Sequence, residues 1–166
     1  VYVDGKQINV SGVGYEPKGE FSLDGTVLAP AQNQALMTLL NIGSVAGDTS
    51  LASEDGVWEI KGDPTEGALV VAAAKGGLWQ KDLQRQFPRI GEIPFSSETK
   101  RMTTIHSTPQ GKVAYAKGAP EVILASSRYV LADGAERELT EKDRESILGV
   151  AQQMASDALR VLGMAY

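Results

Sequence analysis

The chain contains no cysteine among its 166 residues. That excludes disulfides and thiolate-held metals; it permits a reducing compartment without establishing one. A single histidine, His106, excludes a His-based metal cluster, and a lone histidine is far more often structural or solvated than a general base. A Ser-His-Asp triad would have to use it, and no Gly-x-Ser-x-Gly elbow is present. No Gly-x-x-x-x-Gly-Lys-Ser/Thr phosphate loop is present either, since neither Lys61 nor Lys75 stands in such a string. Asp48, Glu54 and Asp55 lack the spacing of a calcium-binding loop and read as a solvated acidic stretch. The net charge of −5 gives no electrostatic support to general nucleic-acid binding. A polyanionic ligand would have to be met by a few locally placed Lys and Arg side chains. No apolar run approaches the roughly 20 residues of a membrane span, and Val1-Tyr2-Val3-Asp4 lacks the basic start and apolar core of a signal peptide. These absences favour binding over self-contained catalysis, and no catalytic or metal-ligating residue is assigned.

The composition is that of an ordinary globular domain. The length suits one domain, residues 1–166, with a real core. The chain starts without Met and in mid-pattern, which reads as a piece of something longer. Val1 to Val3 and Gln7 to Val13 are short β-like runs around a turn at Asp4-Gly5. Phe21-Ser22-Leu23 reads as a short edge strand closed by Asp24-Gly25. Ser11-Gly12-Val13-Gly14-Tyr15 resembles a phosphate loop only superficially, because Pro17 stands where a third glycine is needed. Helical spacing covers Pro30 to about Ser44. Gly47 to Gly56 reads as an exposed loop and Val57 to Ile60 as a strand. Asp63 caps the next helix, with Pro64 at its first position and Glu66 placed as in a capping box. That helix stops near Gly76-Gly77, and a further one covers about Leu78 to Gln86.

Arg89 to Phe95, Arg101 to Ser107 and Lys112 to Ala116 read as consecutive strands joined by short turns, and are therefore antiparallel. Lys117-Gly118-Ala119-Pro120-Glu121 follows, a strand end passing into a helix opened by proline. Such a junction sets exposed amides and one ammonium side by side, an arrangement suited to an anionic ligand. Tyr129 to Leu131 reads as a strand ended by Asp133-Gly134. Thr140 to Ala158 reads as an amphipathic helix capped by Thr140, and Arg160 to Tyr166 as a final strand. The expected fold is α+β: an antiparallel β-sheet of about six to seven strands flanked by helices.

Four strings occur in order: Lys61-Gly62-Asp63-Pro64-Thr65-Glu66, Phe95-Ser96-Ser97-Glu98-Thr99-Lys100-Arg101-Met102, Lys117-Gly118-Ala119-Pro120-Glu121 and Leu159-Arg160-Val161-Leu162-Gly163. Together they resemble the nucleotide-binding (N) domain of P-type cation-transporting ATPases, most nearly the type II, calcium-pump-like group. The resemblance spans nearly the whole chain. A heavy-metal pump would carry a His-Pro pair here, whereas His106 precedes Ser107.

The resemblance implies a domain that binds ATP and delivers its γ-phosphate to an aspartate elsewhere. The family's Asp-Lys-Thr-Gly-Thr string, which carries that aspartate, is absent here. Phe95 resembles the aromatic on which adenine stacks. Glu66 resembles the acid that accepts from the adenine amino group, with Thr65 as its neighbouring support. Lys117 resembles the lysine at the back of the pocket, with Gly118 and Ala119 as close-packed backbone beside it. Lys100 and Arg160 resemble the cations that meet the phosphates, and Leu162 the residue against the ribose. The implied partners are ATP, with Mg²⁺ supplied largely by an absent phosphorylation domain, and the phosphorylation and actuator domains of the same parent chain. No nucleic acid is expected, and the piece itself is expected to be monomeric and not membrane-inserted, a cytoplasmic domain of an integral membrane pump. Two other readings remain: an interaction module binding a peptide along an exposed sheet edge, and a small hydrolase, which lacks a nucleophile–base pair.

Overall fold

Four Asp-Gly pairs set much of the topology of this chain, whose computed structural model describes residues 1–166. Asp4-Gly5, Asp24-Gly25, Asp55-Gly56 and Asp133-Gly134 all hold both residues at positive φ, between 50° and 81°. That is the backbone of a two-residue hairpin turn whose twist matches its strands. Each joins an antiparallel pair: β1 (Tyr2–Val3) with β2 (Lys6–Gln7), β4 (Phe21–Leu23) with β5 (Thr26–Leu28), β6 (Ser50–Glu54) with β7 (Val57–Lys61), and β11 (Tyr129–Ala132) with β12 (Ala135–Glu138).

Three sequence expectations change on this account. Residues 50–54, expected as loop, form a strand, because the Asp55-Gly56 turn returns the chain onto itself. Phe21 lies on a middle strand, not an edge, since β3 (Asn9–Val10) and β5 flank β4. The thirteen strands divide among five separate ladders instead of one sheet of six or seven, because short hairpins pair mainly with themselves. The α+β class stands.

The largest ladder is four-stranded, in the order β13 (Gly163–Ala165), β10 (Gly111–Gly118), β9 (Arg101–Thr108), β8 (Arg89–Ile93). All its pairs are antiparallel. β8 stops before Pro94, which has no N–H for a ladder, so Phe95 lies beyond the strand expected to contain it. The last strand is likewise shorter than expected, and Arg160, Val161 and Leu162 precede its pairing. On β9 and β10 the pleat sends Met102, Thr104, His106, Tyr115 and Lys117 to one buried face. His106 is structural there. Its Nδ1 lies 2.9 Å from the Phe87 carbonyl, which only accepts, so Nδ1 carries the proton; Nε2 lies 2.8 Å from the Thr104 hydroxyl.

Helices α2 (Pro64–Lys75) and α3 (Gln80–Gln86) pack against α1 (Gln34–Val45), which follows a 3-10 turn at Pro30–Gln32, whereas α4 (Pro120–Ser126) lies on β10 and β13 and meets α5 (Glu141–Ser156). Asn33 caps α1, its side chain accepting from the Leu36 amide at 2.8 Å. One side of α1 packs Leu36 and Leu40 with Ile8, Phe21 and Ala73; further along, Ile42, Val45 and Ala46 meet Leu83 and Tyr115. The same helix therefore seals both halves of the core. α2 (Pro64–Lys75) begins as expected, with Asp63 accepting from the Thr65 and Glu66 amides at 2.8 and 3.2 Å. The expected capping box is not completed, because the Glu66 side chain turns away from the Asp63 amide to other partners. α3 (Gln80–Gln86) and α4 (Pro120–Ser126) are short. α5 (Glu141–Ser156) carries a full capping box, and Arg137 grips Asp143 at 2.7 and 2.8 Å. No helix is long and apolar enough to cross a membrane.

Candidate functional site

The four strings singled out in the sequence converge at one end of the four-stranded ladder. Lys117 and Gly118 on β10 pair with Met102 and Arg101 on one side, and with Met164 and Gly163 on the other. The Ala119 amide donates to the Lys100 carbonyl at 3.0 Å. Glu66, 51 residues before Lys117 in the chain, meets its ammonium at 2.6 Å. Arg160 donates to the Thr65 hydroxyl at 3.2 Å, across 95 residues.

Glu66 is the most constrained member. Its Oε1 accepts from Lys117; its Oε2 accepts from the Asp48 and Thr49 amides at 2.9 and 3.0 Å. Burial alone would push this carboxyl upward. The Lys117 hydrogen bond, the Asp48 amide, the Lys117 charge and the Thr49 amide outweigh it and hold the group below the ordinary glutamate value. Lys117 has 7% of its side-chain surface exposed, because the pleat places it on the core face. A charge so buried requires its partner.

The backbone at Gly118 is close-packed. A Cβ on Gly118 would collide with the Lys100 carbonyl and stand 2.8 Å from the Arg101 Cα. Lys100 itself is exposed and has φ +49°, in the left-handed region. Its turn is tied by the Lys100 amide to the Ser96 carbonyl at 2.8 Å, and by the Thr99 amide to the Ser96 hydroxyl at 3.1 Å. Phe95 precedes this turn and is 61% exposed, an isolated aromatic with a free face. Neither Lys100 nor Arg160 belongs to an ion pair. Leu162 is half-buried just ahead of β13.

Sequence reasoning expected Thr65 to support Glu66; the structure instead gives its hydroxyl to Arg160 and its amide to Asp63. The true supports of Glu66 went unidentified. They are the Asp48 and Thr49 amides in the turn after α1, with Gly47 beside them. Arg89 reaches the Gly47 carbonyl at 3.3 Å and Asp48 at 2.7 Å, and also pairs with Glu92. Backbone amides carry no side-chain signature, so nothing in the residue types at 47–49 linked them to Glu66.

A largely buried acid–lysine pair, Arg160 on the Thr65 hydroxyl and the turn that carries Lys100 thus meet at one end of the four-stranded ladder, and the exposed Phe95 precedes that turn. No group of three or more His, Cys, Asp or Glu residues is placed to hold a metal ion. Residues 35–166 match the family model described as P-type ATPase, cytoplasmic domain N, and the chain belongs to that family. A calcium-transporting ATPase of Bacillus subtilis (strain 168) is 34% identical over 167 residues, covering 100% of this chain and 19% of its own length. The cation-transporting ATPase pma1 of Synechocystis sp. is 38% identical, with 99% and 18% covered. The calcium-transporting ATPase type 2C member 1 of Bos taurus is 35% identical, with 98% and 17% covered. The chain therefore spans under a fifth of the length of these relatives.

Proposed function

We propose that this chain is the nucleotide-binding domain of a longer cation-transporting, calcium-pump-like membrane ATPase, and that it holds ATP for phosphoryl transfer to an aspartate on another domain. The observation that supports this most is the convergence of four strings, separated by up to 95 residues, through the Glu66–Lys117, Lys100–Ala119 and Arg160–Thr65 contacts. Adenine stacks on the free face of Phe95. Its amino group donates to Glu66, and Lys117 lines the back beside Gly118 and Ala119. Leu162 meets the ribose. Lys100 and Arg160, neither of them held in a salt bridge, meet the phosphates, where ammonium and guanidinium donors are strongest. Mg²⁺ arrives with the nucleotide and is held largely by the phosphorylation domain. The contribution of this chain to catalysis is positioning: it fixes the base so that the γ-phosphate is delivered to the acceptor aspartate. The actuator domain is a further partner in the same parent chain, and the whole lies on the cytoplasmic side of the membrane.

A peptide added along the sheet edge is less well supported. The free edge strand β8 has a register shift between Arg89 and Gly91 and ends at Pro94, and both interrupt strand addition.

The test is an NMR titration of the labelled chain with AMP-PNP, with and without Mg²⁺. Saturable shifts centred on Glu66, Phe95, Lys100 and Lys117 are expected, with an affinity near millimolar, about −4 kcal/mol. Phe95→Ala should weaken binding by about 1–3 kcal/mol, the worth of one stacked base. It should leave the unfolding midpoint unchanged, because the ring is exposed. A Phe95→Ala chain that binds as wild type does would overturn the pocket assignment.

A further inference from the structure

The turn that follows α1 has almost every polar group committed. The Gly47 carbonyl accepts from Arg89 at 3.3 Å. The Asp48 and Thr49 amides donate to Glu66 Oε2. The Thr49 carbonyl accepts from Gln80 at 2.8 Å, and the Thr49 hydroxyl donates to the Asp63 carbonyl at 3.2 Å. Thr49 is buried and Asp48 is pinned by the Arg89 guanidinium at 2.7 Å. A turn held from so many sides acts as a fixed template for the carboxylate laid on it.

The template also limits what that carboxylate can accept. An ionised carboxylate offers about four acceptor positions. Two amides occupy Oε2 and the Lys117 ammonium occupies one position of Oε1. One position remains, on Oε1. It takes an N–H and repels a carbonyl oxygen. The 6-amine of adenine fits it, and the 6-keto oxygen of guanine, set at the same place by the same stacking, does not.

Gly47 decides whether this geometry exists. A Cβ there would stand 2.5 Å from Lys117 Nζ and 2.8 Å from Glu66 Cδ, inside the 3.0 Å that real Cβ atoms respect. Neither neighbour is free to yield: Lys117 is buried on the sheet face, and Glu66 is fastened by both oxygens. Gly47 does not have a positive φ, so glycine is needed there for room and not for backbone conformation. We propose that Gly47 is a specificity-determining positioning residue: the bare backbone at the end of α1 lets the Glu66–Lys117 pair close onto it, and Arg89 holds that backbone in place, so that a single acceptor position is presented to the base. The inference rests on the reading of the site as an ATP pocket and adds the element that makes it selective for the base.

The experiment compares AMP-PNP with GMP-PNP, titrated into wild type, Gly47→Ala and Arg89→Met, with urea unfolding of each variant alongside. Wild type should prefer AMP-PNP about tenfold, Gly47→Ala should lose about that factor for AMP-PNP while GMP-PNP is unaffected, and Arg89→Met should show the same collapse at about threefold. A simple loss of packing would weaken both nucleotides together. A folded Gly47→Ala that keeps the wild-type preference overturns the proposal. Should Gly47→Ala not fold, an unchanged preference in Arg89→Met overturns it. Wild type that takes both nucleotides equally overturns the inference and leaves the pocket reading standing; wild type that takes neither removes the ATP-pocket reading itself, and the inference with it.

Discussion

Replacing Lys117 with Met keeps the length of the stem and removes the ammonium, which isolates the electrostatic part of the Glu66–Lys117 pair. Breaking a buried pair by deleting one partner typically costs about 3–5 kcal/mol, because the remaining charge is stranded. Glu66 would keep both amide bonds, and 19% of its side-chain surface reaches solvent, so the lower end, about 3 kcal/mol, applies. In a domain of this size each kcal/mol moves Tm by about 2–4 °C, giving a fall of about 6–12 °C at neutral pH. The loss should depend on pH with a definite sign. In wild type the Glu66 carboxyl lies below its ordinary value of 4.5 in spite of its burial. The stabilisation is therefore complete above that value and disappears as pH falls through the lowered one. In Lys117→Met burial is no longer opposed by the ammonium, so the carboxyl is costly when ionised and harmless when protonated. The gap between the two proteins should be widest near neutrality and close in acid. Urea unfolding followed by the fluorescence of Trp58 and Trp79, whose tilted rings lie 5.9 Å apart, measures it at about pH 7 and about pH 4. The double variant Glu66→Gln/Lys117→Met should recover at least half of the loss, since removing both charges is far milder than removing one. A loss below about 1 kcal/mol at neutral pH, or one that is the same in acid, refutes the reasoning.

Two further outcomes follow from the same region. Gly118→Ala should lower stability by about 1–3 kcal/mol in urea unfolding, since the new methyl meets the backbone of Lys100 and Arg101 and not a flexible side-chain end. Asp63→Asn should preserve the α2 cap yet flatten the acid limb of the stability profile. The Glu66 amide, then Thr65 and Arg160, hold the Asp63 carboxyl below its ordinary value against the opposing effect of desolvation, so its contribution is lost as pH falls through that lowered value; an unaltered acid limb contradicts this.

The helices and the three strands from Arg89 to Ala116 were legible because periodicity, caps and breakers agree there: Asp63 and Thr140 cap as their residue types suggest, while the first helix starts at Gln34, after Asn33, and not at Pro30. Strands β2, β5, β6 and β12 were less legible. Each is short, and β2, β6 and β12 are largely polar, so hydrophobic alternation is weak, and the reliable signal was the Asp-Gly pair preceding or following it. The site divides along the same line. The candidate residues Glu66, Lys100, Lys117 and Arg160 stand in the four strings, and the fold brings those strings together. Gly47 and the amides of Asp48 and Thr49 act through main chain and empty space, which no residue type announces. Arg89 was visible only as the first residue of a strand, and its reach across to the Gly47 carbonyl is a tertiary fact.

The hairpins closed by Asp-Gly turns join residues only a few positions apart, while the Glu66–Lys117 and Arg160–Thr65 contacts close over 51 and 95 residues. Local hairpins form in about 1–10 μs, whereas contacts of high sequence separation wait for loop closure and set the slow end of folding. The Glu66–Lys117 and Arg160–Thr65 contacts, of high sequence separation, are therefore expected to close late in folding. On the proposed reading, nucleotide affinity would report completed folding: a chain with its hairpins formed and its long-range ladder open has every residue of these contacts and none of the contacts.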